Sequence, residues 1–382
     1  MLDISITTLS AAVIGISVTG ALSCGRTEKD QNASIYLFIT FLLFAGITSL
    51  PLVITFIPSL YIYFMPVLLP ALLMLPVALY RFIALRTTDN DHTHFHWRDY
   101  LLPLAGLIVT IGFWLLPDQP RSTMLIQGEL PPGFWPITLA IATLVLILMW
   151  CVTSVTYLAV TVKRLGTYRA HLKNVYSNTE GHELRWIDWL IVFLVTLWIA
   201  STIALISDNF HTKSLISLEF IYVLTGFVLL FLTTFVSTSP PKVNVQAFID
   251  TPKDLTADSN DKYTRSALSD QHAKQLSERI DSAMRNDVLY LDPNLTLSKL
   301  SKHISALPNM VSQTLNEAIG SSFYDYVAHW RVEAAKPLIQ SSNDSMLEIS
   351  LKVGFNSRST FYKAFKREVG MTPKAYRTTA NP

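Results

Sequence analysis

The chain has 382 residues, of which half are hydrophobic and only 15% are charged, with a formal net charge of +2. Soluble proteins average about 25% charged residues, so this composition argues against an ordinary soluble protein and indicates a lipid environment. The two cysteines, Cys24 and Cys151, lie in or beside apolar segments and predict no disulfide framework.

Seven apolar segments are long enough to cross a bilayer as helices, which requires about 20 residues each. They are 4–24, 34–57, 60–85, 100–117, 135–162, 187–207 and 215–237. The chain begins MLDIS, which is acidic where a signal peptide is basic, so we expect the first segment to be a retained span. The sequence therefore predicts a seven-helix transmembrane domain over residues 1–237.

The direction of these spans follows from the basic residues between them. The first, third and fifth connections hold Arg26, Lys29, Arg86, Arg98, Lys163, Arg164, Arg169, Lys173 and Arg185. The other connections hold only Arg121 and Lys213. The positive-inside rule then predicts an external N-terminus and a cytoplasmic C-terminal region.

Ionisable groups are scarce inside the predicted spans. We expect Arg81 to extend towards the headgroups at the inner end of the third span. Glu219 lies about one turn inside the seventh span, where it either senses the signal or reaches the headgroups. Prolines in the second and third spans predict kinks, which either shape a cavity or have no function of their own. The spans offer no catalytic set, so we predict neither an enzyme nor a cofactor.

A histidine-rich loop lies between the third and fourth spans. His92, His94 and His96 alternate in DNDHTHFHWRD, so an extended loop would direct all three imidazoles to one side, as a metal site requires. A plain polar loop is the alternative that we favour, because no cysteine or fixed scaffold supports the three histidines.

The composition changes after the seventh span. Residues 238–265 are rich in Pro, Asp, Thr and Ser and predict a flexible linker, with a typical end-to-end distance of roughly 30 Å. A helical stripe of Ala273, Leu276, Ile280 and Ala283 follows. This stripe is expected to pack either on the next domain or on a second copy of itself.

Two helix-turn-helix patterns occupy the C-terminal region, at about 296–320 and 345–370. Pro308 marks the start of the second helix in the first unit, and Ser357 is the predicted N-cap of the second helix in the second unit. Phe361 and Phe365 predict the buried side of that last helix, with basic residues opposite. About 19 helical residues connect the units, roughly 30 Å and close to the spacing of adjacent major grooves.

The region from about 270 to 377 resembles the AraC/XylS family of transcriptional regulators. The resemblance rests on the paired units, on Arg331 in the connecting helix, and on the closing GFNSRSTFYKAFKREVGMTPKAYR. It covers little more than a quarter of the chain, and a membrane domain stands where the family usually has a sugar-binding barrel. The resemblance implies sequence-specific binding of double-stranded DNA, control of transcription, contact with RNA polymerase and a homodimer.

The two units differ in their polar residues. The second helix of the first unit lacks Lys and Arg, and it carries Glu317 where family members often have a basic residue. We therefore expect this helix to contact the edges of the DNA bases through its amide side chains. The second unit is basic and should supply most phosphate contacts. The expected DNA-binding residues are Asn309, Ser312, Gln313, Asn316, Arg331, Arg358, Ser359, Tyr362, Lys363, Lys366 and Arg367.

The leading hypothesis is an all-α transcriptional regulator tethered to the inner membrane of a bacterium. Its seven-helix domain at 1–237 would sense an unknown small molecule or membrane signal. The linker at 238–265 would then lead to a DNA-binding domain at 266–382. Two alternatives remain: a transporter or enzyme with a DNA-binding domain that regulates its own gene, and a regulator released by proteolysis in the linker.

Overall fold

The computed structural model describes residues 4–27, 31–87, 97–180, 183–209, 216–238 and 270–380. These residues form helices and connecting turns, with no β-strand among them and one isolated bridge between Tyr176 and Thr296. The prediction of an all-α fold is therefore confirmed over this part of the chain. The histidine-rich loop at His92, His94 and His96 lies outside the described residues, as does nearly all of the predicted linker.

The chain divides into two compact units. The first comprises Met1–Leu165 and Leu184–Lys242, and the second comprises Gly166–Glu183 and Val243–Pro382. The second unit thus includes a segment from between the fifth and sixth predicted spans, which the sequence did not indicate.

Ten α-helices of the described chain contribute to the first unit. They are α1 (Ile4–Thr27), α2 (Gln31–Thr48), α3 (Leu50–Phe56), α4 (Tyr61–Phe64), α5 (Leu68–Thr87), α6 (Leu101–Leu115), α7 (Asp118–Ser122), α8 (Phe134–Val175), α9 (Trp186–Asn209) and α10 (Leu218–Thr238). Within the described residues, six helical segments are long and apolar enough to cross a bilayer, and a seventh qualifies if α2 and α3, bent by 43°, form one span. The predicted count of seven thus rests on this bent pair.

Prolines shape the third predicted span, although not all of them break it. Short 3-10 turns at Pro58–Leu60 and Met65–Val67 interrupt the α-helical backbone, whereas α5 continues through Pro76. Neighbouring side chains donate to carbonyls near the breaks: Thr110 Oγ1 lies 2.8 Å from Pro66 O, and Trp114 Nε1 lies 3.0 Å from Tyr63 O. Such bonds satisfy backbone groups that lipid could not.

Arg81 does not extend to the headgroups as the sequence predicted. Its side chain is 7% exposed, and its Nη2 lies 2.5 Å from Asp99 Oδ2. The Tyr157 hydroxyl donates to the other oxygen of Asp99 at 2.9 Å. A buried guanidinium requires a charged partner, and the turn before α6 brings Asp99 to it.

Among the described residues, the second unit contains seven further α-helices and the end of α8. They are α11 (Asp270–Arg285), α12 (Leu297–His303), α13 (Pro308–Gln313), α14 (Phe323–Ser341), α15 (Met346–Lys352), α16 (Arg358–Val369) and α17 (Pro373–Ala380). A π-helical turn at Thr314–Ile319 extends α13. Two apolar cores form, one around α11, α12 and α13 and one around α15 and α16, and α14 contributes to both.

Candidate nucleic-acid interface

The first helix-turn-helix unit is α12 followed by α13. Thr296 caps α12 by accepting from Lys299 N, and Pro308 occupies the first turn of α13, as its missing N–H allows. The π-helical turn ends at Gly320, whose φ of 74° is left-handed. Thr296, Pro308 and Gly320 thus lie at the start of α12, at the start of α13 and at the end of the π-helical turn.

Helix α11 completes the core of this unit. Leu276, Ile280 and Ala283 are buried against α12 and the π-helical turn. The apolar stripe therefore packs on the domain that follows it, which was the first of the two predicted alternatives.

The second unit is α15 followed by α16. Ser345 and Glu348 form a reciprocal capping box on α15, and Ser357 caps α16 by accepting from Thr360 N. Phe361 and Phe365 are fully buried, as their spacing predicted. Met346 takes a core position in α15.

The outer face of α16 carries the predicted cations. Arg358, Lys363, Lys366 and Arg367 are exposed, as is Ser359, while Tyr362 is half-buried. The Arg358 guanidinium lies 4.9 Å from the Tyr362 ring centroid, a contact that holds both side chains at the surface. Arg367 is less available than expected, because it forms ion pairs with Asp325 and Glu368.

The corresponding face of the first helix-turn-helix unit is polar but not basic. Asn309 and Asn316 are exposed, and Ser312 and Gln313 are half-buried. Gln313 Nε2 donates to Glu317 at 2.9 Å, and Asn316 Nδ2 donates to Ser312 O at 2.9 Å. The amides thus lie on an accessible surface, but they are engaged within their own helix.

Arg331 lies inside the domain, which corrects its prediction as a DNA-contacting residue. It is 1% exposed, and its Nε and Nη2 donate to Tyr290 O and Asp292 O at 2.8 Å each. Its guanidinium also donates to the carbonyl and hydroxyl of Ser177, each at 3.3 Å. Burial lowers the pKa of Arg331 to about 10, so it stays charged at neutral pH. Its role is to join segments that lie far apart in sequence.

Ser177 is a residue that the sequence did not single out. It is 3% exposed, its N–H donates to Leu295 O at 3.2 Å, and its hydroxyl donates to the same oxygen at 2.7 Å. An isolated bridge joins its neighbour Tyr176 to Thr296. No local pattern indicates these contacts, because their partners are more than a hundred residues away.

Of the remaining candidates predicted from the sequence, the three histidines lie outside the described residues, and Glu219 is described. Glu219 lies in the first turn of α10 and is half-exposed. Across the described residues, no group of three or more His, Cys, Asp or Glu side chains is arranged to hold a metal ion.

Comparisons with known proteins find similarity in the C-terminal region. A family model described as a helix-turn-helix domain matches residues 300–379. An uncharacterised HTH-type transcriptional regulator of Staphylococcus aureus (strain COL) is 28% identical over 113 residues, which are 30% of this chain and 14% of that protein. The melibiose operon regulatory protein of Escherichia coli (strain K12) is 29% identical over 86 residues, 22% of this chain and 28% of that protein.

Among solved structures, the C-terminal domain of the two-component response regulator yesN from Fusobacterium nucleatum is 29% identical, and the match covers 28% of this chain and 98% of that one, with a TM-score of 0.24. The C-terminal domain of AraT, a response regulator from Geobacillus stearothermophilus, is 26% identical over 30% of this chain and 88% of that one, with a TM-score of 0.25.

The chain spans less than a third of the length of the two curated relatives. The family model and these relatives identify the C-terminal region as a helix-turn-helix domain of AraC type, which confirms the resemblance for this region.

Proposed function

We propose that this protein is a membrane-tethered transcriptional regulator that binds double-stranded DNA through its two helix-turn-helix units. The observation that carries the proposal is the exposed face of α16. Its cations stand opposite the fully buried Phe361 and Phe365. A recognition helix needs one apolar side for the domain and one polar side for the groove.

The division of labour follows from the side chains. Lys363 and Lys366 would contact phosphates, which fixes the position of the protein without carrying sequence information. Asn309 and Asn316 would contact base edges, since Asn and Gln pair bidentately with adenine. Helix α14 has 19 residues and is therefore roughly 30 Å long, which suits units placed in adjacent major grooves.

The membrane domain would be both the anchor and the input. Six or seven apolar helices support the anchor. A small-molecule or membrane signal would shift the domain between two arrangements by binding one of them more tightly. Anchoring confines the DNA-binding domains to the cytoplasmic face of the inner membrane, where their high effective concentration favours a homodimer that engages RNA polymerase.

The test is selection of bound sequences by the full-length protein in lipid nanodiscs. A random duplex library should yield one enriched motif, with half-sites about 10 base pairs apart if both units engage successive grooves. Lys366→Gln should lower recovery strongly, whereas Lys374→Gln, an equal charge change at an exposed position of α17, should not. No enriched motif with the unsubstituted protein would reject sequence-specific binding and favour a transporter or enzyme function for the membrane domain.

A further inference from the structure

The short segment Tyr176–Glu180 follows directly after α8 and belongs to the same compact unit as the DNA-binding helices. Ser177 fixes it to Leu295 and Arg331, as described above. Thr179 is 5% exposed, so the segment is packed along most of its length. Glu180 is exposed, and its own N–H donates to Asn178 Oδ1 at 3.1 Å, which shapes the turn.

The carboxylate of Glu180 contacts the first turn of α16. Its Oε1 accepts from the Ser357 hydroxyl at 2.6 Å and also from the Thr360 hydroxyl. These two residues belong to the N-terminal turn of the second recognition helix, where Ser357 is the N-cap. The acidic side chain of Glu180 therefore covers the N-terminal end of α16, where the exposed polar face of this helix begins.

This contact occupies hydroxyl groups that DNA binding would also use. The N-terminal residues of a recognition helix contact base edges and neighbouring phosphates in the major groove. Ser and Thr hydroxyls are common donors to those phosphates. In the present arrangement both hydroxyls donate to Glu180, and a phosphate in the same place would meet a carboxylate of like charge.

We propose that Tyr176–Glu180 is an autoinhibitory element that blocks the second recognition helix until Glu180 leaves Ser357 and Thr360. This inference rests on the proposed function, and it adds the means by which the membrane domain controls the helix. The segment continues from α8, which carries the fifth predicted span, so a displacement of α8 withdraws the carboxylate. A signal then acts through the chain itself, without a second protein.

The test compares Glu180→Gln with the unsubstituted full-length protein in nanodiscs of neutral lipid. A fluorescent 40-base-pair duplex of random sequence is the probe, because release of a phosphate-binding surface strengthens binding to any sequence. Glu180→Gln should tighten binding about three- to fivefold, the size expected of one exposed charged contact. Glu278→Gln, the same change at an exposed position of α11, is the matched control and should alter binding little.

Equal tightening by both variants would show a general effect of charge and overturn the proposal. Unchanged binding by Glu180→Gln, or binding by neither protein, would overturn it as well. Sequence selection decides the proposed function separately, because an enriched motif can exist whether or not Glu180 blocks the helix.

Hydrogen exchange gives a second measurement, which reports displacement of the segment and does not respond to a general effect of charge on DNA affinity. The Ser177 N–H is held by Leu295 O in the blocked state. Saturating duplex should therefore accelerate exchange across residues 176–180 in the unsubstituted protein. Unchanged protection of this segment at saturation would show that DNA binds without displacing it, which contradicts the proposal.

Discussion

Gly354 lies at the turn of the second helix-turn-helix unit, and replacing it with alanine tests how this turn is built. Its φ is 91°, in the left-handed region that residues with a Cβ avoid. An added Cβ would stand 2.5 Å from Tyr290 O and 2.9 Å from Leu291 O. These are backbone atoms, and Tyr290 O also accepts from Arg331, so the obstruction cannot be relieved by moving a side chain alone.

Two costs add in the Gly354→Ala variant. The left-handed backbone costs about 1–2 kcal/mol for a residue with a Cβ. Overpacking against fixed atoms costs about 1–3 kcal/mol more. We therefore expect the free energy of unfolding of the C-terminal unit to fall by about 2–5 kcal/mol. Gly370→Ala is the control, because φ there is 82° but nothing lies within 4 Å of the added Cβ, so only the first cost applies.

The assay is a brief protease pulse applied to full-length protein in increasing urea, with an immunoblot that quantifies the protected C-terminal fragment. Urea slopes for small domains are about 1–3 kcal/mol per M. The midpoint for Gly354→Ala should therefore fall by at least about 0.7 M, and by clearly more than the midpoint for Gly370→Ala. Equal midpoints for the two variants would refute the packing around Gly354, since both variants would then carry only the cost of the left-handed backbone.

Three further outcomes are expected. Arg331→Gln should lower the urea midpoint, because the carbonyls of Tyr290 and Asp292 lose their donors at about 1–3 kcal/mol for each buried group left unsatisfied; loss of DNA binding at an unchanged midpoint would instead make Arg331 a DNA contact. Lys363→Gln should weaken binding to all sequences alike and reduce the slope of log K against log salt by about 1, as fluorescence anisotropy at several salt concentrations would measure; an unchanged slope would remove Lys363 from the phosphate contacts. Asn316→Ala should leave that slope intact and relax one base preference in a repeated selection, at about 1–3 kcal/mol of discrimination; an unaltered motif would exclude Asn316 from base recognition.

Local patterns predicted those features of the fold that local forces determine. Phe361 and Phe365 recur at helical spacing, and their burial follows from that spacing alone. Pro308 and Ser357 define helix starts through groups on their own residues, so neighbours in space are not needed to place them. The helical content and the apolar segments are predictable for the same reason.

Features that depend on distant partners could not be predicted. Arg331 was predicted to contact DNA because no residue near it in sequence indicates that its guanidinium donates to the carbonyls of Tyr290 and Asp292. Arg81 similarly acquires Asp99 through packing of α5 against the turn before α6. The contact of Glu180 with Ser357 joins residues 177 positions apart. Helix α8 continues past the predicted fifth span to Val175, and hydropathy alone gave no reason to assign its end to the DNA-binding unit.

The most direct test of the central claim is chromatin immunoprecipitation of the full-length protein, combined with immunoblots of membrane and soluble fractions from the same cells. The account predicts full-length protein at a few discrete promoters, with the protein confined to the membrane fraction. A shortened soluble form at those promoters would contradict tethered action and indicate release by proteolysis. No enriched promoter under any growth condition would contradict the regulatory function itself.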